Sequence, residues 1–260
     1  MRIKLIIVAA AVAGVLVVPG RAGAATPATS TNWAGYVASK SGVRFRQVTA
    51  FWTVPTATCS PGRGSYSAVW VGLGGFHTRS KALEQVGTES DCRADGSPRY
   101  TSWYELVPDA AHSARLRVHP GDQFAASVTV SGHAVRLRLV NVTRGTSYTK
   151  HLRATAVDTT SADWIVEAPS ACTRGGSCQT LPLANFGTVG FAQARATTTG
   201  GHTGPIADPA WATTALTLVP QAGRRAGPGF VGPPPDATGA AGATPQPLGP
   251  TGDGFAVSYG

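Results

Sequence analysis

Apolar and polar side chains alternate along most of the chain. Phe124–Val130 puts Ala126, Val128 and Val130 on one side; after Ser131-Gly132-His133, Val135, Leu137 and Leu139 alternate with Arg136, Arg138 and Val140. A period of two broken by Gly, Pro, Asp and Ser predicts half-buried antiparallel strands. The same pattern predicts strands at Ala114–Val118, Gln47–Val54, Ala68–Gly72, Arg99–Val107, Asp163–Glu167, Thr188–Ala194 and Ala212–Val219. No segment has a helical period, so the predicted fold is all-β, an antiparallel β-sandwich.

Two stretches break the pattern. Arg2 and Lys4 precede the apolar run Leu5–Val18, and Ala22-Gly23-Ala24 offers an A-x-A cleavage site, which reads residues 1–24 as a secretory signal peptide. The run is shorter than the roughly 20 residues of a spanning helix, so a secreted, extracellular product without a membrane partner is expected. From Gln221 to Gly254, 16 of 34 residues are Gly or Pro, which predicts a flexible excursion. Phe255-Ala256-Val257-Ser258-Tyr259 alternates again. The expected organisation is therefore a sandwich domain over 25–220, the Gly/Pro-rich segment 221–254, and a final strand within 255–260.

Composition narrows the function classes. The 260 residues hold 22 Lys+Arg against 13 Asp+Glu, a formal charge of +9. Without Arg2, Lys4 and Arg21, 19 basic residues face 13 acidic ones, leaving +6. The cations stand singly, as in Arg115-Leu116-Arg117, and no basic run supports a nucleic-acid partner. A monomer is expected. Four Cys in an exported chain suggest two disulfides, with Cys59–Cys92 and Cys172–Cys178 the natural pairing among three. The six His are isolated and no CxxC or HxxxH occurs, so neither a metal nor another cofactor is implied.

The usual hydrolase signatures GxSxG, HExxH and Asp-Thr/Ser-Gly are missing, as are acids alternating along one strand. An acid inside an apolar strand then stands out. In Trp164-Ile165-Val166-Glu167 the glutamate shares a face with Ile165, which puts it either in a cleft or at a wet strand end. Glu105 follows Trp103 on one face of Trp103-Tyr104-Glu105, and Gln85 lies in Leu83-Glu84-Gln85-Val86-Gly87.

A series of motifs resembles the glutamic peptidases called eqolisins, the scytalidoglutamic and aspergilloglutamic peptidase family. In order they are Asn32-Trp33-Ala34-Gly35-Tyr36, Phe51-Trp52-Thr53-Val54-Pro55, Trp70-Val71-Gly72-Leu73-Gly74-Gly75, Leu83–Gly87, Tyr100-Thr101-Ser102-Trp103-Tyr104-Glu105, Gly121-Asp122, Asp163–Glu167 and Asn185-Phe186-Gly187-Thr188-Val189. Each is weak alone; the ordered series over about 31–220 is specific.

The resemblance implies a jelly-roll-like sandwich of two curved antiparallel sheets and a secreted, acid-acting, pepstatin-insensitive endopeptidase on polypeptide substrates. Its catalytic Gln–Glu dyad would fall on Gln85 and Glu167. Trp70, Trp103, Glu105 and Trp33 would line the substrate cleft. An Asp common in fungal members is replaced at Thr101, and another is missing from the loop at Gly74, which predicts a mild-acid rather than strongly acid optimum. About seven residues separate the cleavage site from Asn32-Trp33, so no activating cleavage is expected. From another class, a non-catalytic β-sandwich binding module with the three Trp as a surface for carbohydrate or protein also fits the strands.

Overall fold

The computed structural model describes residues 24–172, 178–219, 231–232 and 241–260. The expected signal peptide, most of the Gly/Pro-rich segment and the loop between Cys172 and Cys178 lie outside them. Every regular element among the described residues is a strand. Alternation without helical periodicity leaves the backbone no other way to pair its polar groups while burying one face.

Two layers form. The first runs β6 (Pro98–Val107), β5 (Leu83–Cys92), β4 (Ala68–Gly74), β11 (Ser161–Glu167), β2 (Trp33–Ser39), β16 (Ala212–Leu218) and β1 (Thr26–Ser30). Short strands β7 (His112–Ser113) and β17 (Val231–Gly232) pair with its two edges. The second layer runs β10 (Thr146–Arg153), β9 (Ala134–Asn141), β8 (Gln123–Ser131), β3 (Phe45–Thr53), β14 (Thr188–Thr198), β19 (Phe255–Tyr259) and β18 (Ala243–Pro245). β15 (Thr203–Pro205) folds back on β14, and β12 (Ser170–Cys172) pairs with β13 (Cys178–Thr180) as a separate hairpin. Leu218 of β16 pairs with Ala243 of β18, so the two layers curl into one continuous sheet. Pairing is antiparallel throughout except between β1 and β16.

Between the layers sits the main core, with Tyr36, Val71, Val86, Trp164 and Val166 from the first layer and Phe45, Val48, Trp52, Phe124, Leu137 and Phe191 from the second. A buried Trp removes roughly 150–250 Å² from water, about 4–6 kcal/mol of apolar burial. The polar tips of these aromatics find partners across the layers: Trp52 Nε1 donates to Thr88 Oγ1 at 3.0 Å, and Trp164 Nε1 to the Thr49 carbonyl at 2.9 Å. Cys59 and Cys92 are bonded, and Cys178 is disulfide-bonded as well.

The patterned segments on β8 and β9 keep their faces, with Val128, Leu137 and Leu139 fully buried. One predicted strand is absent. Ala114–Val118 alternates but forms no ladder, because Ser102 takes its hydrogen bonds: the Ser102 carbonyl accepts from Ala114 N, and Ser102 Oγ accepts from Leu116 N and donates to the Leu116 carbonyl. Arg115 between them adopts φ 56°. A left-handed residue cannot continue an extended strand.

Three carboxyls are buried in the first layer. Glu84 points between the layers at 1% exposure, Asp163 is at 0% and Asp91 at 5%. Burial pushes Glu84 up to about 8 and, with the nearby Glu89 charge, Asp91 up to about 7; it holds Asp163 well above the carboxylate range. Asp122 behaves oppositely: burial opposes its charge, but Arg144 Nε at 2.8 Å, Asn141 Nδ2 at 2.8 Å and the His119 N–H keep it low. A raised folded-state carboxyl stabilises the fold fully below its unfolded value near 4, and that stability drains away as pH climbs to the folded value. The fold should therefore weaken between about pH 4 and 8. Glu84→Gln keeps the shape without the proton, so it should narrow the Tm difference between pH 4 and pH 8 by roughly 2–4 °C for each kcal/mol of buried charge removed. Thermal melts at both pH values check this; an unchanged difference would show that Glu84 ionises without cost.

Candidate active site

The outer, concave face of the first layer is a second apolar surface built by strand register. Glu167 of β11 pairs with Ala68 of β4 and Trp33 of β2; one pleat on, Ile165 pairs with Trp70 and Gly35. Across β4, Trp70 pairs with Gly87 and Gly72 with Gln85; across β5, Gln85 pairs with Glu105, Gly87 with Trp103 and Glu89 with Thr101. Directly paired residues share a face. Register thus carries Trp33, Trp70, Gln85, Trp103, Glu105 and Glu167, six residues spread over 135 positions, to one side of five adjacent strands. Trp33, Trp70, Leu83, Trp103 and Ile165 form the apolar bed there.

Glu167 sits half-buried in that bed with an N–H donor on each oxygen. Trp70 Nε1 reaches Oε2 at 2.8 Å, and Asn32 Nδ2 reaches Oε1 at 3.1 Å. Trp70 holds this pose because its neighbours lack side chains. A Cβ on Gly72 would come 2.9 Å from Trp70 Cζ3, and one on Gly87 would come 2.7 Å from Trp70 Cβ. The indole therefore lies along the sheet instead of standing from it. Trp33 closes the other side edge-on, with ring centroids 5.0 Å apart and planes at 78°. Burial and the Glu105 charge push Glu167 up to about 8, against the hydrogen bonds from Trp70 and Asn32.

Gln85 Nε2 donates to Glu105 Oε2 at 2.6 Å. Its Oε1 is buried without a protein partner, as are the indole nitrogens of Trp33 and Trp103. Burial also raises Glu105, against the Gln85 hydrogen bond. An amide nitrogen carries two protons, so the Glu105 contact fixes one and leaves the second free.

Two positions where the sequence departs from the pattern it resembles have a local account. Asp158 fills the space beside Gly74, where a Cβ would come 2.5 Å from Asp158 Cβ, and Gly74 has φ +85°. A carboxylate from the segment before β11 thus stands at that end of the cleft, hydrogen-bonded by Ser80, whose Oγ also accepts from Gly75 N at 3.1 Å. Thr101 donates its hydroxyl to Glu89, so the pair stays polar without a second acid. Beyond Ser80, the β4–β5 loop opens a cavity of about 370 Å³ lined by Phe76, His77, Thr78 and Arg79. Phe76 also packs on the concave bed.

The structure corrects one reading. Trp33, Trp70 and Trp103 are 1%, 0% and 7% exposed, so they make no open stacking surface for a carbohydrate or protein. Two contributors escaped the strand pattern, Asn32 and Glu89. Asn32 precedes a strand with no alternation of its own, and 135 residues separate it from the carboxylate it meets. Among the described residues no three of His, Cys, Asp and Glu stand close enough to hold a metal ion.

The fold and the sequence both match known peptidases. Aspergillopepsin-2 of Aspergillus niger is 32% identical over 200 residues, which cover 68% of this chain and 67% of that protein. The crystal structure of scytalido-glutamic peptidase with a transition state analog inhibitor shares the fold at TM-score 0.68 and 23% identity, over 89% of this chain and 99% of that one. Aspergilloglutamic peptidase from Aspergillus niger superposes at TM-score 0.56 with 26% identity, over 75% and 99% of the two chains. The pattern of the Peptidase A4 family matches residues 31–220, and with it the chain belongs to that family, the glutamic peptidases or eqolisins, and is a peptide-bond hydrolase.

Proposed function

We propose that the chain is a secreted endopeptidase working in mild acid, with Glu167 moving the proton and Gln85 holding the oxyanion. The observation that carries this reading is a carboxylate gripped by two N–H donors on the same concave face as an amide with one free N–H. As the water oxygen bonds to the scissile carbonyl carbon, its proton passes to ionised Glu167, and the carbonyl electron pair moves onto oxygen. The free Gln85 N–H meets that oxyanion, a contact worth about 3–4 kcal/mol elsewhere. Glu167 then gives its proton to the leaving nitrogen as the C–N bond breaks, and is ionised again. Glu105 acts through Gln85 as a positioning residue. The buried Trp33, Trp70 and Trp103 form the apolar bed beneath the groups a polypeptide would meet. Export rests on the Arg2–Ala24 sequence and on the similarity to fungal peptidases.

The pH window follows from two opposite titrations. A base with a raised pKa loses activity as pH falls through that value, so with Glu167 at about 8 the acid limb should lie well above that of an ordinary glutamate near 4.3, and only a small ionised fraction turns over in mild acid. The alkaline side is set by the fold, which weakens as Glu84, Asp91 and Asp163 ionise.

Purified protein should cleave an acid-denatured protein with pepstatin present, and Glu167→Gln and Gln85→Ala should each lose at least 100-fold in kcat/KM while still folding. Cleavage surviving in a folded Glu167→Gln variant would remove the dyad. Glu105→Gln takes away the like charge and should move the acid limb of kcat/KM to lower pH; an unmoved limb would leave Glu105 a purely structural role. Trp70→Phe keeps the ring but removes the donor to Glu167, which costs about 1–3 kcal/mol for the oxygen left unpaired. The Glu167 titration, followed by carboxyl 13C NMR, should then shift upward, and an unchanged midpoint would show that the indole N–H does not stabilise the anion.

A further inference from the structure

Charge is divided between the two layers. The strands of the first layer carry Glu84, Glu89, Asp91, Glu105, Asp163 and Glu167, with Arg99 their lone Lys or Arg. The strands of the second layer carry no Asp or Glu at all; they hold Arg46, Arg136, Arg138, Lys150, Arg153 and Arg195, with His151.

Register collects most of those cations on the outer face of that layer. Arg136 pairs with His151 and with Thr129, which pairs with Gln47; Arg138 pairs with Thr149 and with Ser127, which pairs with Thr49 beside Arg195. Arg153 sits opposite Ala134 at the edge. Arg46, Arg136, Arg153, Arg195 and His151 are exposed and Arg138 is half-exposed. Among the described residues none of these side chains has a carboxylate within ion-pair distance; the ion pairs there lie on Asp122 and Asp208. Residues two apart on a strand are roughly 7 Å apart and neighbouring strands about 4.8 Å, so the guanidiniums form an unneutralised array with hydroxyls between them.

We propose that this face binds an acidic polysaccharide, a chain of carboxylated sugars, and holds the peptidase against it with the cleft outward. Guanidinium groups take carboxylates in paired hydrogen bonds, which favours Arg over Lys in such an array. Thr49, Ser127, Thr129 and Thr149 supply donors and acceptors for sugar hydroxyls. Other polyanions fit less well. The one large apolar side chain exposed on these strands is Phe51, so the face offers no row of aromatics for stacking bases and no apolar wedge for a bilayer. Among the described residues no helix stands on this face to enter a duplex groove. The cleft lies on the far side of the first layer, with the whole core between, so binding leaves it open. The proposal stands whichever residues perform the hydrolysis.

The test is retention on immobilised polygalacturonate at pH 5.5 in a salt gradient. The parent protein should elute at clearly higher salt than from a carboxymethyl matrix of equal charge density. The R136S/R138S/R153S variant should elute at less than half the parent's salt concentration. R63S/K81S/R93S loses the same charge from exposed loops and strand ends elsewhere and should shift little, and all forms should hydrolyse a soluble denatured protein within about twofold of the parent. R46S/R195S gives a second, independent reduction on the other flank should the triple variant not fold. Equal shifts for both triple variants would reduce the effect to net charge and overturn the proposal. So would parent elution no later than from carboxymethyl matrix, or displacement by duplex DNA at a lower charge concentration than by free polygalacturonate.

Discussion

The concave face depends on one hydrogen bond, from the Trp70 indole to Glu167 at 2.8 Å. A carboxylate set among Trp33, Trp70 and Ile165 would otherwise bear the full cost of leaving water, several kcal/mol for a charge without partners. The indole solves two problems at once, since its ring extends the apolar bed while its nitrogen meets the charge. That pose requires the indole to lie down along the sheet over Gly72, where a Cβ would come 2.9 Å from the ring, while at Gly87 a Cβ would meet the Val69 carbonyl and Trp70's own Cβ, so that glycine lets β5 approach β4 closely. Two glycines within strands, each a local weakness, are therefore part of the same device. Gly87 and Gly72 leave Gln85 and Glu105 beside the ring instead of behind another side chain.

The same register separates what the molecule does from what holds it together. Odd and even positions of β11 divide cleanly: Trp164 and Val166 enter the main core, while Ile165 and Glu167 enter the cleft. A slip of one residue would exchange them and put a charge between the layers. The cross-layer bond from Trp164 Nε1 to the Thr49 carbonyl pins that register from the core side, far from the reacting groups.

Much of this was legible in the chain. Period-two segments at 124–130 and 135–139 gave their strands and faces, and the share of a face between Ile165 and Glu167 could be read from four residues. The ordered motifs placed Gln85, Glu105, Trp33, Trp70 and Trp103 by resemblance. What stayed hidden has physical reasons. β10, Thr-Ser-Tyr-Thr-Lys-His-Leu-Arg, is an edge strand with polar side chains on both faces, so alternation is blurred. Ala114–Val118 has the alternation but spends its hydrogen bonds on Ser102. Asn32 meets Glu167 only because β2 and β11 are neighbours, a contact no local pattern encodes. The burial of the three indoles was likewise invisible, since a cleft wall and an open platform use the same residues.

The buried acids bear on the mild-acid activity proposed for this site. Crowding carboxyls beside and beneath a cleft raises Glu167, Glu105 and Asp91 through burial and a neighbouring charge, that of Glu105 on Glu167 and that of Glu89 on Glu105 and Asp91. In neutral solution that crowding is a liability, because every proton lost leaves a charge in the layer. In mild acid the protons stay and the liability vanishes; Glu167 is raised to about 8 like Glu84, but it has an N–H donor on each oxygen for the moments when it is charged. Glu84 and Asp163 each bury an oxygen with no protein partner, a cost smaller for a protonated carboxyl than for an anion. Acid conditions therefore do not merely tolerate this fold. They supply the protons that complete its packing.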